Sequence, residues 1–224
     1  CSAGRARPTF FWPLLIRPDV MVYDCLVIGG DSPIGSAIFC DLQRVPGVSV
    51  AKTTRRDETR GSTYNLDLEE LGNLGDLPRA KNLIMVAAVT NMVVCETEKI
   101  KTQNINVFAQ LRIAEWAERI GARVIFLSSI AVFGETQVNV DEGVEPCPSN
   151  IYGQQKFQAE AGIAAITKNF VVLRMGKVLT QKFPLFEQWI DCLESNAEIH
   201  PFSDLYTAPV YQSHVVEVIR KVVN

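Results

Sequence analysis

Apolar residues along the chain occur either in short continuous blocks or in longer stretches with helical spacing, and the two kinds alternate. Residues 22–28 form a compact block broken only by Asp24 and Cys25, and 48–54, 82–88, 124–127 and 170–174 repeat the form. Each is the right length for a buried strand. Between them, Ile38, Phe39 and Leu42 recur at helical spacing. Ile105, Phe108, Leu111, Ile113 and Trp116 mark an amphipathic helix over 101–120, with Gly121 as its stop. A further helix is expected over 183–193. Strands alternating with helices predict a doubly wound parallel α/β sheet, whose ligands bind beyond the carboxyl ends of the strands.

Two junctions in this pattern carry candidate chemistry. The first strand runs directly into Gly29-Gly30-Asp31-Ser32-Pro33-Ile34-Gly35 and then into a helix. A strand, a tight glycine-containing loop and a helix N-terminus bring backbone N–H groups and the positive end of a helix dipole to a pyrophosphate. The same residues also suit an ordinary turn. The second strand ends in Arg55-Arg56. An acidic residue about 20 positions beyond the loop would bind ribose hydroxyls, whereas arginine accommodates a 2′-phosphate, so NADP(H) is the expected cofactor and NAD(H) the second option. Two solvated loop arginines are the plainer alternative.

The other junction is the block Val124-Ile125-Phe126-Leu127, which ends in Ser128-Ser129 and is followed by Tyr152 and Lys156. Residues four apart on a helix share a face, so phenol and ammonium are expected to point into one space. A nearby cation lowers a tyrosine pKa from its usual value of about 10, and a serine hydroxyl could bond the same substrate oxygen. Such a set suits carbonyl reduction. A half-buried ring beside a solvated charge is the alternative for Tyr152 and Lys156 taken alone.

Together these residues resemble the short-chain dehydrogenase/reductase superfamily in its extended, epimerase/dehydratase-like branch, and more narrowly the dTDP-4-dehydrorhamnose reductases. The resemblance spans about residues 22–223. It implies a Rossmann-like fold and an NADPH-dependent reductase of a keto group on a nucleotide-linked sugar. Gly29 and Gly35 fill the outer positions of the family's GxxGxxG, with Ser32 in place of the middle glycine and its hydroxyl expected to face a phosphate. By the same resemblance Asp67 and Leu68 would hold the adenine. Ala87, Ala88 and Val89 would lie beneath the cofactor, and Asn106 would support the lysine. Ser129, three residues before Val132, would be the catalytic serine beside Tyr152 and Lys156. Ile130-Ala131 occupies the place where dehydratases carry an Asp-Glu pair, leaving an epimerase or a non-catalytic NADP-binding regulatory relative as alternatives. His214 stands where relatives carry Asp.

Bulk composition limits the remaining possibilities. The 224 residues, 47% hydrophobic, can bury one substantial core. We expect residues 1–20 to be an extension outside the fold. Residues 21–224 would then form one domain, with 176–210 as a small substrate-side lobe. A net charge of -3 gives no global attraction for nucleic acid or anionic membranes, so partners should be small molecules, with a homodimer left open. Six cysteines lack any CxxC pair, which points to reduced thiols in a cytoplasmic protein without a metal site. No apolar run reaches the roughly 18 residues of a membrane span.

Overall fold

A computed structural model describes residues 22–57, 59–134, 140–180, 183–201 and 208–223. The extension expected over 1–20 lies outside the described residues. Six strands, β1 (Val22–Ile28), β2 (Val50–Thr54), β3 (Thr63–Asn65), β4 (Arg79–Met85), β5 (Arg123–Ser129) and β6 (Phe170–Met175), form one sheet in the order β3-β2-β1-β4-β5-β6. Every pairing is parallel. This is the doubly wound, Rossmann-like order, which reverses direction between β1 and β4.

Side-chain alternation explains why the central strands read as unbroken apolar blocks. Along β1, Leu26 and Ile28 enter one core with Leu83, Met85 and Phe126, whereas Cys25 and Val27 enter another with Ile84, Ile125 and Leu127. The first core is closed by α4 (Ala109–Ile120) and α5 (Ile151–Ile166) through Ile113, Trp116 and Ile163. The second is closed by α1 (Pro33–Leu42) and α7 (Gln212–Val223) through Ile38, Phe39, Leu42 and Ile219. Helices on both faces leave these strands no polar face, and each fully buried Leu or Ile contributes about 1.5–3 kcal/mol.

Several element boundaries differ from expectation, and three of the differences have clear local reasons. β2 starts at Val50 rather than 48, because Val48 N–H turns back to the Val45 carbonyl and Ser49 is held by the Asp24 carboxylate. β4 stops at Met85, where the next two amides, Val86 and Ala87, both bond the single carbonyl of Ile28 and end the ladder. The helix expected over 101–120 begins earlier and is composite. After α2 (Met92–Thr97), a break at Glu98 starts α3 (Lys99–Gln103), which continues through a π-helical turn, Asn104–Phe108, into α4. Gly121 ends it at φ 72°.

Beyond β6, a two-stranded parallel sheet joins β7 (Val178–Leu179) to β8 (Val210–Tyr211). The helix expected over 183–193 is α6 (Pro184–Glu194), which leaves Leu185, Phe186, Ile190 and Leu193 exposed. Among the described residues no helix is long and apolar enough to cross a membrane.

Candidate active site

The glycine loop is built by contacts too close for side chains. A Cβ on Gly35 would lie 2.2 Å from the Gly29 carbonyl oxygen, and Gly29 itself has φ 91° with Ala87 pressed against it. Ser32 serves the loop internally. Its hydroxyl donates to the Gly29 carbonyl at 2.9 Å and accepts from Gly35 N–H at 3.0 Å, capping α1 ahead of Pro33. The expectation that this hydroxyl faces a phosphate is therefore corrected: the cap has taken it. What the loop presents to a ligand is the positive end of a ten-residue helix. Ile34 packs into the second core, and the Pro33 carbonyl accepts from Gln212 on α7.

At the carboxyl end of β2, a cleft of about 240 Å³ is lined by Asp31, Lys52, Thr54, Arg56, Arg60 and Thr63. Arg56 thus lines it, whereas Arg55 is exposed outside that lining. Three cations in a cleft this size match a phosphate group rather than a whole dinucleotide. Asp67 closes its own turn by accepting from Glu69 N–H, and Leu68 is buried in the first core.

A buried amide network joins the cofactor-side loop to α5. Asn106 is fully buried on the π turn. Its Oδ1 accepts from Val89 N–H at 2.8 Å, while its Nδ2 donates to the Val89 carbonyl and to Gln155 Oε1. Gln155 Nε2 in turn donates to Thr102, and Gln110 donates to the Ala87 carbonyl. A π turn adds a residue to a helix and is frequent at functional sites; here it supplies both Asn106 and Phe108. Asn106 was expected to support the lysine. It bonds Val89, in the half-buried Ala87–Ala88–Val89 stretch, and Gln155, the residue next to Lys156.

The candidate residues Ser129, Tyr152 and Lys156 lie where α5 packs on the end of β5. Asn150 caps α5 by accepting from Gly153 N–H, and a Cβ on Gly153 would lie 2.1 Å from the Ala131 carbonyl. This close approach packs the first turn of α5 on the turn following Ser129. Ser129 Oγ accepts from Ala131 N–H at 3.1 Å. The alternation of β5 buries Ser128, whose hydroxyl has no hydrogen-bond partner among the described residues, and leaves Ser129 half-buried. Burial pushes the Tyr152 phenol up to about 12, and the Ser129 hydroxyl opposes that shift. Lys156 is 3% exposed, with Nζ 2.6 Å from the Leu127 carbonyl and 4.0 Å from the Phe126 ring centroid. Burial pulls it down to about 7, while Glu160 works the other way. The expected lowering of the tyrosine by the lysine is thus corrected. The buried ammonium takes the nearest carbonyl and aromatic face, and desolvation dominates the phenol. A phenol this weakly acidic keeps its proton at neutral pH, which suits a donor.

Comparison with known proteins places this arrangement in a family. The RmlD substrate binding domain family matches residues 23–224. The chain belongs to that family. The rat "Methionine adenosyltransferase 2 subunit beta" is 28% identical over 151 residues, covering 67% of this chain and 45% of that protein. The chain therefore spans less than half the length of this curated relative. Among solved structures, MoeE5 in complex with UDP-glucuronic acid and NAD is 25% identical, with a TM-score of 0.75 over 88% of this chain and 71% of that one. The dTDP-4-dehydrorhamnose reductase from Bacillus anthracis in complex with NADP has a TM-score of 0.75 at 19% identity, over 92% and 72% of the two chains.

In this RmlD-family chain, sequence reading missed Asp31, Lys52 and Arg60 in the cleft, and Thr102, Gln110 and Gln155 in the amide network. One signal was available: Lys52 and Thr54 are two apart on β2 and so share a face. It also missed the paired Glu160 and Arg174, whose carboxylate and guanidinium meet at 2.8 Å. Among the described residues no cluster of three or more His, Cys, Asp or Glu could hold a metal.

Proposed function

We propose that the chain is an NADPH-dependent reductase of a keto group, acting on a nucleotide-linked 4-keto sugar in the cytoplasm. The observation that carries this reading is the convergence of Ser129, Tyr152 and Lys156 at the end of β5 in a chain of the RmlD family. The residues present fit the cofactor: the glycine loop ends on the N-terminus of α1, and the cationic cleft suits a 2′-phosphate. When bound, NADPH supplies the hydride. Ser129 would hydrogen-bond the keto oxygen, and Tyr152, still protonated at neutral pH, would donate its proton to that oxygen. Lys156, one turn from Tyr152 on the same face of α5, would hold the nicotinamide ribose. Asn106 and Gln155 would hold the Val89 loop against α5. Gly29, Ser32, Pro33, Ile34 and Gly35 would shape the pyrophosphate loop, Arg56 with Lys52 and Arg60 would meet the adenosine phosphate while Arg55 stays outside the cleft, and Asp67 and Leu68 would border the adenine. The cytoplasmic placement draws support from the free thiols among the described residues, Cys25, Cys40, Cys95, Cys147 and Cys192.

A screen of NADPH oxidation against nucleotide 4-keto sugars, with simple ketones as controls, tests the reading. The expected result is one NADPH consumed per keto group reduced. Turnover without net NADPH consumption would move the assignment to an epimerase. A second reading, a cofactor-binding subunit without catalysis, is favoured by the curated relative being a beta subunit of another enzyme; tight NADPH binding without turnover on any substrate would select it.

A further inference from the structure

The cleft at the end of β2 contains one group of the opposite sign to the rest. Asp31 is presented by the glycine loop, yet its Oδ2 accepts from Thr54 Oγ1 on β2 and its Oδ1 lies 4.0 Å from Lys52 Nζ. Thr54 Oγ1 also accepts from Arg56 N–H at 3.1 Å. The carboxylate is therefore tied to the strand and, through Thr54, to the backbone of an arginine lining the cleft. It cannot leave without releasing that hydroxyl.

We infer that Asp31 sets the cofactor choice of this chain: its carboxylate works against a 2′-phosphate and accepts a ribose hydroxyl instead, so that NAD(H) competes with NADP(H). This rests on the cofactor reading above. Lys52, Arg56 and Arg60 provide three positive charges and Asp31 removes one. A 2′-phosphate, carrying roughly one and a half to two negative charges like other phosphomonoesters, meets attraction from the cations and repulsion from the carboxylate. A ribose 2′-hydroxyl is neutral and can donate to an ionised carboxylate, which only accepts. Dinucleotide folds commonly present that acidic residue from the end of the second strand. Here the strand end is basic and the acid arrives from the loop before it, so the two halves of the usual either-or choice face one another. Discrimination built on a repulsive element is a general route to specificity. With Asp31 at 39% side-chain exposure and Lys52 at 23%, solvent screening keeps the effect moderate.

Calorimetric binding of NAD⁺ and NADP⁺ to the native chain, Asp31→Asn and Arg60→Ala tests this. Asparagine retains an acceptor for Thr54, and a thermal melt checks the fold; Asp31→Ser is the second variant should the first melt early. Removing the carboxylate should tighten NADP⁺ about tenfold and weaken NAD⁺ severalfold. Arg60→Ala should shift the ratio the opposite way by weakening NADP⁺ alone. A ratio unchanged in both Asp31 variants, with the native chain binding either cofactor, overturns the role of Asp31 but leaves the cofactor reading intact. Binding of neither cofactor by the native chain overturns both.

Discussion

Lys156 and Lys52 are both cations placed beside a candidate dinucleotide site, yet their surroundings differ in every respect that governs a charge. Lys156 is 3% exposed, lies against an aromatic face, and finds one carbonyl, so desolvation sets its behaviour and draws its pKa to about 7. Lys52 stands with Arg56 and Arg60 around an open cleft, opposed by one carboxylate. The buried end can change the protonation of a reacting group because water does not screen it. The open end can attract and select a phosphate, and salt weakens it. On the proposed reading, proton chemistry and cofactor choice would fall to differently solvated parts of one fold.

The comparison breaks most visibly if Lys156 is not desolvated. Its folded-state pKa of about 7 lies below the unfolded value of 10.5. Between these the unfolded chain binds the extra proton, so stability rises with pH across the window and the penalty is full below pH 7. The contribution reaches about 5 kcal/mol at most, since one pKa unit is worth 1.36 kcal/mol. Denaturation of the native chain and of Lys156→Met at pH 7 and pH 9 should show the difference narrowing in that direction; parallel curves would place Lys156 in contact with water.

Next in size is the ion pair one turn further along α5. Glu160 is 6% exposed and accepts from both Nε and Nη2 of Arg174, which also lies over the Phe133 ring. Arg174→Met leaves a buried carboxylate unpaired and should cost about 3 kcal/mol. Glu160→Gln should cost less, because the Arg174 side chain is 24% exposed and can reach water. Urea unfolding of both variants checks the order.

Tyr152→Phe keeps the ring and removes the proton. On a confirmed keto substrate its rate should fall at least about 10²-fold, the usual scale of general acid catalysis, while NADPH affinity and melting temperature stay near native. Near-native turnover would exclude the tyrosine as donor. The smallest expected effect belongs to the open cleft. NADP⁺ affinity should weaken severalfold between low and physiological salt, NAD⁺ affinity less, and Arg56→Ala should flatten the NADP⁺ dependence. Titrations at two ionic strengths measure it.

Some elements could be read almost residue by residue. The expected first strand coincides with β1, and the strand expected at 170–174 falls short of β6 by one residue, because continuous apolar blocks buried on both faces need no knowledge of their partners. Elsewhere a local hydrogen bond decided the boundary, as at Val48 and at Val86. The π turn left no trace in the periodicity of 101–120, since one extra residue per helix shifts the apolar stripe too little to separate from ordinary scatter.

By itself the amino-acid sequence determined the strand–helix alternation, the glycine turn before α1 and the spacing of Tyr152 and Lys156, all of which depend on neighbours within a few positions. Tertiary structure decided what those groups face. Asp31 and Thr54 are 23 residues apart, and Asn106 and Gln155 are 49 apart. Only the packing of a loop on a strand, or of a π turn on a helix, brings such pairs together. Solvation was decided the same way: a lysine four residues after a tyrosine can be a bare cation or a buried one, and the difference lies in the strand beneath it, where Phe126 and the Leu127 carbonyl take the ammonium out of water.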